Sequence, residues 1–294
     1  MVEIGDETQS YWNQMARFYW MTGAPLRPGP EDILHLQQLV ARASSELPRG
    51  PLHAVMLGVT PAKASMQWPN NVRLLAVDRS LPMVKSVWPG DVPGARQAIC
   101  GDWFSLPLAD RSCSLFTGDG SGNCVRFPEG LRELAAEAAR VLHPEGRLLL
   151  RCYIQPERRE EPDRVLASLR ESDNPTFHHF KFRLLMALQR TARDGVVLAD
   201  VHRYWVRSRI IPERLAEATG WDLASIRMMD AYRDSPTVHV FPTLAEFRSV
   251  LEEFFEECSC TSASYPLAER CPVLMLKPKS RRTSENRGRA LSCP

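Results

Sequence analysis

The sequence has little net charge: across 294 residues, 37 Lys and Arg stand against 35 Asp and Glu, a formal charge of +2. A nucleic-acid or membrane partner would select a basic surface field, so this balance argues against both. Long apolar runs are missing too, and no stretch reaches the ~18 residues that a membrane span requires. The first residues carry Glu3, Asp6 and Glu7 and lack an apolar h-region, which argues against a secretory leader. Of the eight cysteines, Cys258-Ser-Cys260 lacks zinc-knuckle spacing and has no His/Cys partner set nearby, so no metal site is expected. Cys100, Cys113, Cys152 and Cys271 lie in apolar stretches, where a thiol behaves as a small buried hydrophobe. The expectation is a reduced, cytoplasmic chain without an internal repeat.

What is present is a core: 44% of residues are hydrophobic, too many for a disordered chain. Short apolar runs recur at His53–Gly58, Arg73–Val77, Gln97–Cys100, Ser114–Thr117 and Arg147–Tyr153. They are short, lack internal proline, and most are followed by Gly, Asp or Pro, as strands buried on both faces of a parallel sheet are. Helical periodicity falls at Glu31–Leu47, Leu81–Val87 and Leu131–Leu142, the last stopped by His143-Pro-Glu-Gly146. Strand–helix–strand alternation of this length predicts βαβ units. Beyond Tyr153 the pattern predicts helices over Glu157–Ser172, Phe177–Thr191, Pro212–Thr219 and Leu244–Phe255, then strands over Glu257–Tyr265 and Pro272–Leu276; Gly195–Arg207 reads as neither. The fold class predicted is a Rossmann-like doubly wound α/β sheet of about seven strands, mostly parallel with an antiparallel edge strand, with helices on both faces.

In such a sheet, ligands bind beyond the carboxyl ends of the strands. The residues there are Leu57-Gly58-Val59-Thr60-Pro61, Asp78-Arg79-Ser80, Gly101-Asp102-Trp103 and Gly118-Asp119-Gly120. Small residues admit a ligand close to the backbone, and carboxylates accept hydrogen bonds from hydroxyls and amines. The stretch GDWFSLPLADRSCSLFTGDG, Gly101 to Gly120, followed by ARVLHPEGRLLL, Ala139 to Leu150, resembles the class I S-adenosylmethionine-dependent methyltransferases. The resemblance spans about Leu52 to Arg151, with a looser echo to Leu276. It departs from the family pattern at Met56, where an acid is usual, and in the single glycine of LGVTP.

The resemblance implies S-adenosyl-L-methionine as cofactor. The Gly58 loop would pass its methionine part, Asp78 would take the ribose hydroxyls, and Asp102 would take the adenine amine with Trp103 against the base. Leu57, Thr60, Arg79, Met83, Gly101 and Gly118 would complete the cofactor cleft. Asp119 is the candidate acceptor-orienting or basic residue, and Arg151, His202 and Tyr204 are candidates for the acceptor side. The segments expected are an N-terminal lid and helix (1–50), a cofactor-binding core (51–155), a helical cap or acceptor region (156–243), a closing helix and strands (244–277) and a disordered basic tail (278–294). The activity implied is in-line methyl transfer to a small organic molecule. Two alternatives are a non-catalytic relative acting as a cofactor-binding or regulatory subunit, motivated by Met56, and an NAD(P)-dependent oxidoreductase. The latter is disfavoured because Gly58-Val-Thr-Pro61 has no further glycines to admit a pyrophosphate.

Overall fold

The computed structural model describes residues 11–170 and 174–279; the basic segment 280–294 lies outside the described residues, as do Glu3, Asp6 and Glu7. Seven strands form one sheet: β1 (Leu52–Leu57), β2 (Val72–Asp78), β3 (Arg96–Cys100), β4 (Cys113–Asp119), β5 (Leu142–Arg151), β6 (Phe255–Thr261) and β7 (Val273–Pro278). Their spatial order is β3-β2-β1-β4-β5-β7-β6. The first five run parallel. The antiparallel pairing lies at the β5 side, where β7 is reversed between β5 and β6. Because the chain leaves β1 in one direction and returns to its other side for β4, strand order reverses between β1 and β4. That switch point opens a crevice at the carboxyl edge.

Alternate residues of each strand point to opposite faces, and here both faces are covered. Val55 and Leu57 of β1 and Phe116 of β4 pack in one apolar cluster with Leu131, Leu134 and Phe247. Ala54 and Met56 of β1 and Leu115 of β4 pack in another with Leu36, Leu39, Val40 and Ala43. The second set belongs to α1 (Pro30–Glu46), which starts on a proline at its first turn, with the Gly29 amide donating to Asp32 Oδ2 at 2.9 Å. The proline has no amide to leave unpaired there. Two short helices follow β1 and β2, α2 (Pro61–Ala64) and α3 (Leu81–Ser86). The first cluster is covered by α4 (Glu129–Val141), whose buried Leu131, Leu134, Ala135 and Ala138 keep helical spacing.

Between β5 and β6 lie α5 (Pro162–Ala167), α6 (Phe177–Leu188), α7 (Leu198–Arg207), α8 (Pro212–Thr219), α9 (Leu223–Arg227) and α10 (Leu244–Leu251). Helices α5 to α9 gather around an apolar cluster of their own that includes Phe177, Phe180, Leu184, Trp205 and Met229. Helix α10 instead returns to the sheet through Phe247 and Val250. It starts on a capping box in which the Glu246 amide donates to Thr243 Oγ1 at 3.2 Å and the Thr243 amide to Glu246 Oε2 at 2.7 Å.

Several sequence expectations change; the helix expected over Phe177–Thr191 ends at Leu188, and the strand expected over Glu257–Tyr265 ends at Thr261. Residues 157–161 are not helical, because Pro162 sits at the first helical turn and cannot accept an upstream helical turn. Glu160 in that stretch pairs instead with Arg183 at 2.5 Å and Arg270 at 2.7 Å. Residues 196–197 pair with 238–239 in a two-residue antiparallel ladder before α7 begins. Helix α10 ends at Leu251, and Phe255 opens β6 with its ring buried. Among the described residues no helix is long and apolar enough to cross a membrane.

Phe247 joins α10 to the sheet at no measurable exposure, whereas Leu34 of α1 is 58% exposed. Phe247→Ala is expected to lower unfolding stability by about 3–5 kcal/mol, and Leu34→Ala to change it by about 0.5 kcal/mol or less. Urea unfolding of both variants checks this, and equal losses would contradict the assigned core.

Candidate functional site

A cavity of about 430 Å³ opens beyond the carboxyl ends of β1, β2, β3 and β4. Gly58 follows β1 in the left-handed region (φ +78°), and a Cβ there would stand 3.3 Å from the Trp103 ring. Only glycine takes this backbone conformation without strain and leaves the space open. Asp78 closes β2, and its two carboxylate oxygens accept the Val59 amide (3.0 Å) and the Ser80 amide (2.8 Å). Burial pushes its carboxyl upward in pKa, and these two amides oppose that shift. Asp78 therefore ties the loop after β1 to the loop after β2, and each oxygen keeps a lone pair for a further donor.

After β3, Asp102 Oδ1 accepts the Phe104 amide at 3.0 Å, while Oδ2 is held by the Arg79 guanidinium. Burial acts to raise the Asp102 carboxyl, but the Phe104 amide and Arg79 outweigh it and hold it below its usual range. The Trp103 indole donates to the Val77 carbonyl at 2.7 Å, which fixes the ring beside Gly58. Strand β4 ends at Asp119, and Gly120 follows it into the cavity wall. Asp119 is paired with Arg151 at 2.9 Å.

Beneath the cavity lies a group of four buried charges. Arg151, at the end of β5, holds Asp32 of α1 through Nε–Oδ1 and Nη2–Oδ2, both 3.3 Å, in addition to Asp119. The same guanidinium donates to the Pro25 carbonyl (3.0 Å) and the Tyr265 hydroxyl (2.8 Å), and Tyr265 donates onward to Asp32. Burial opposes the charged guanidinium, but Asp119 and its neighbours outweigh it, and Arg151 stays firmly cationic. Lys63 of α2 donates to the Gly118 carbonyl at 2.9 Å; burial lowers it to about 8, with Asp119 opposing. Two carboxylates thus face two cations in a closed group.

The remaining walls come from the N-terminal segment and from the chain after β5. Trp12, Met15 and Tyr19 line the N-terminal side, Tyr11 packs its ring against Tyr232 and His239, and Asn13 accepts the Ser80 hydroxyl at 2.7 Å. Lys181 and Leu185 of α6, with Tyr232, His239 and Phe241, line the other. Burial lowers the His239 imidazole to about 4, so it is neutral at pH 7. Asn123 fixes this side: its amide donates to the Tyr153 and Val240 carbonyls at 2.7 and 2.6 Å and accepts the Tyr153 amide at 2.9 Å.

Of the residues singled out from sequence, Leu57, Gly58, Thr60, Asp78, Arg79, Met83, Asp102, Trp103 and Asp119 line this one cavity. Gly101 and Gly118 stand behind it, where a Cβ would meet Val77 at 2.9 Å or Leu150 at 2.8 Å. Arg151 is buried below. Tyr204 and His202 of α7 lie elsewhere: the Tyr204 hydroxyl donates to Asp163 at 2.5 Å, and His202 faces Asp230 at 3.6 Å. Sequence reasoning missed Lys63, Lys181, Tyr153, Tyr232 and His239. A lysine in the otherwise aromatic run FHHFKF, Phe177 to Phe182, was the one visible signal. Among the described residues no group of three or more His, Cys, Asp and Glu could hold a metal ion, and all seven cysteines there are free thiols.

No family model matches the chain, and no curated protein matches its sequence. Solved structures do match. A Rhodobacter sphaeroides protein described provisionally as a Zn-dependent alcohol dehydrogenase aligns at a TM-score of 0.59 and 10% identity, over 93% of this chain and 98% of its own. The CurJ carbon methyltransferase aligns at 0.50 and 9% identity, over 92% of this chain and 59% of its own. At these identities the likeness establishes the shared Rossmann-like fold.

Removing Arg151 leaves Asp32 and Asp119 buried without their guanidinium. Arg151→Met is expected to lower stability by about 3–5 kcal/mol, with part recovered when Asp32→Asn and Asp119→Asn are added. Chemical unfolding at pH 7 reads this, and an unchanged midpoint would refute the assigned role of the charge group.

Proposed function

We propose that the chain is an S-adenosylmethionine-dependent methyltransferase acting on a small organic molecule. The observation that carries this reading is convergence: Gly58, Asp78, Asp102 and Trp103, from three separate strand ends, line a single cavity at the switch point of the sheet. The fold is shared with the CurJ carbon methyltransferase and with the Rhodobacter sphaeroides protein alike, so the reading rests on the site. The donor set also fits the cofactor. A carboxylate with a free lone pair on each oxygen suits two ribose hydroxyls, and a half-buried acid beside an indole suits an adenine amine and ring. The narrow turn at Gly58 leaves room for the methionine part.

When bound, S-adenosylmethionine supplies a methyl group on a positively charged sulfur. The protein's own task is then alignment and exclusion of water. Asp78 and Trp103 fix one end of the cavity, and Asp119, itself fixed by Arg151, orients the acceptor at the other. Holding two reactants in line can remove about 7–11 kcal/mol of the barrier. Tyr11, Trp12 and Tyr19 close the cavity from above and keep it dry.

An oxidoreductase reading is weakened by topology. A dinucleotide fold continues past its fifth strand with a parallel sixth, strand order 3-2-1-4-5-6. Here the reversed β7 occupies that position.

Calorimetry is expected to show S-adenosylhomocysteine binding to the wild-type protein and none of NAD. Asp78→Ala should weaken that binding by about tenfold or more, a loss of ~1.4 kcal/mol. Unchanged affinity in folded Asp78→Ala would refute the ribose role, and tight NAD binding would reverse the assignment.

A further inference from the structure

One group in the cavity has no task in cofactor binding. Lys181 of α6 is 2% exposed, lines the cavity, and makes no hydrogen bond or ion pair among the described residues. Its ammonium stands over the Tyr232 ring, 5.5 Å from the centroid, and its charge helps to keep the nearby His178 and His239 imidazoles neutral, so neither compensates it. A ring face compensates a cation by about 0.5–2 kcal/mol, far less than the several kcal/mol that desolvating an ion costs. Burial alone lowers its pKa, to about 8, so it is still mainly cationic at neutral pH.

No acid that shares the cavity is paired with Lys181: Asp119 is paired with Arg151, Asp102 with Arg79, and Asp78 accepts the Val59 and Ser80 amides and keeps one lone pair on each oxygen. Glu129 and Glu133 lie on the exposed side. The cavity wall that carries Lys181 is largely aromatic, with Tyr11, Leu185, Tyr232, Phe241 and the neutral His239 imidazole.

We infer that Lys181 recognises the acceptor, and that the acceptor is a small, largely apolar or aromatic molecule carrying one carboxylate. This deepens the methyltransferase reading and rests on it for the word acceptor. A carboxylate, already ionised at neutral pH, neutralises the ammonium without a proton transfer. A neutral ligand would leave the charge uncompensated in a water-poor cavity. One ammonium matches one carboxylate at that end; the other cations of the lining, Arg27, Arg79 and Arg126, come from the loop before α1 and the segments after β2 and β4. The aromatic walls take the remainder of the molecule.

The test uses trans-cinnamate and its neutral amide as a matched pair, titrated into the full-length protein with and without saturating S-adenosylhomocysteine. Wild type is expected to bind cinnamate at least about tenfold tighter than the amide. Lys181→Met should abolish that preference, retain S-adenosylhomocysteine affinity, and melt at or above the wild-type temperature, because an unpaired buried charge has been replaced by a thioether of similar length. Lys181→Arg, which keeps the charge, should keep the preference. Equal binding of the pair by wild type, or a preference that survives in Lys181→Met, would overturn the inference. So would a large loss of stability in Lys181→Met, which would mark the lysine as structural. Failure of wild type to bind S-adenosylhomocysteine would remove the cofactor reading alone, since the cinnamate comparison still decides what Lys181 binds.

Discussion

The Arg151 guanidinium holds this structure's working edge together. A permanently charged group taken out of water must be compensated on nearly all its donors, or the fold pays several kcal/mol. Arg151 meets that demand with partners from four parts of the chain: Asp119 at the end of β4, Asp32 in α1, the Pro25 carbonyl, and Tyr265 between β6 and β7. Because each partner must come to the guanidinium, the loop before α1 is drawn across the carboxyl edge of the sheet. The aromatic N-terminal segment, tethered by Asn13 to Ser80, then becomes a wall of the cavity. Lys63 adds the second cation, so Asp32 and Asp119 sit in a neutral group of four.

This arrangement has consequences for chemistry. Asp119 looks from sequence like a free carboxylate at the reaction edge, but its position is set by Arg151, which suits orientation of a bound molecule. The chain after β5 adds a different kind of surface, aromatic and nearly uncharged apart from Lys181. The cavity therefore has a polar end built by strand termini and an apolar end built by helices. The proposed methyltransferase reading assigns a nucleoside to the first end and an organic acceptor to the second.

Much of this was legible in the residues. Strands buried on both faces announce themselves as unbroken apolar runs, and the Gly and Asp residues that follow them fall at the sheet edge by topology alone. Gly58, Asp78, Asp102 and Trp103 could therefore be found before any coordinates. What could not be read was long-range pairing. Arg151 looked like a substrate ligand because nothing local reveals that Asp32, 119 residues away, fills its fork. Lys63 and Lys181 were hidden for the same reason, since burial of a lysine is a property of the assembled cavity. His202 and Tyr204 have side chains suited to an acceptor site, yet α7 turns them toward Asp230 and Asp163. Pro162 was visible and should have ended the helix predicted across 157–161.

The most direct measurement is a crystal structure of the protein grown with S-adenosylhomocysteine. The account predicts the ribose hydroxyls on Asp78, the adenine between Trp103 and Asp102, and the sulfur directed toward Asp119 and Lys181. Ligand density at any other surface, or an adenosine lying away from Gly58 and Asp78, would contradict it.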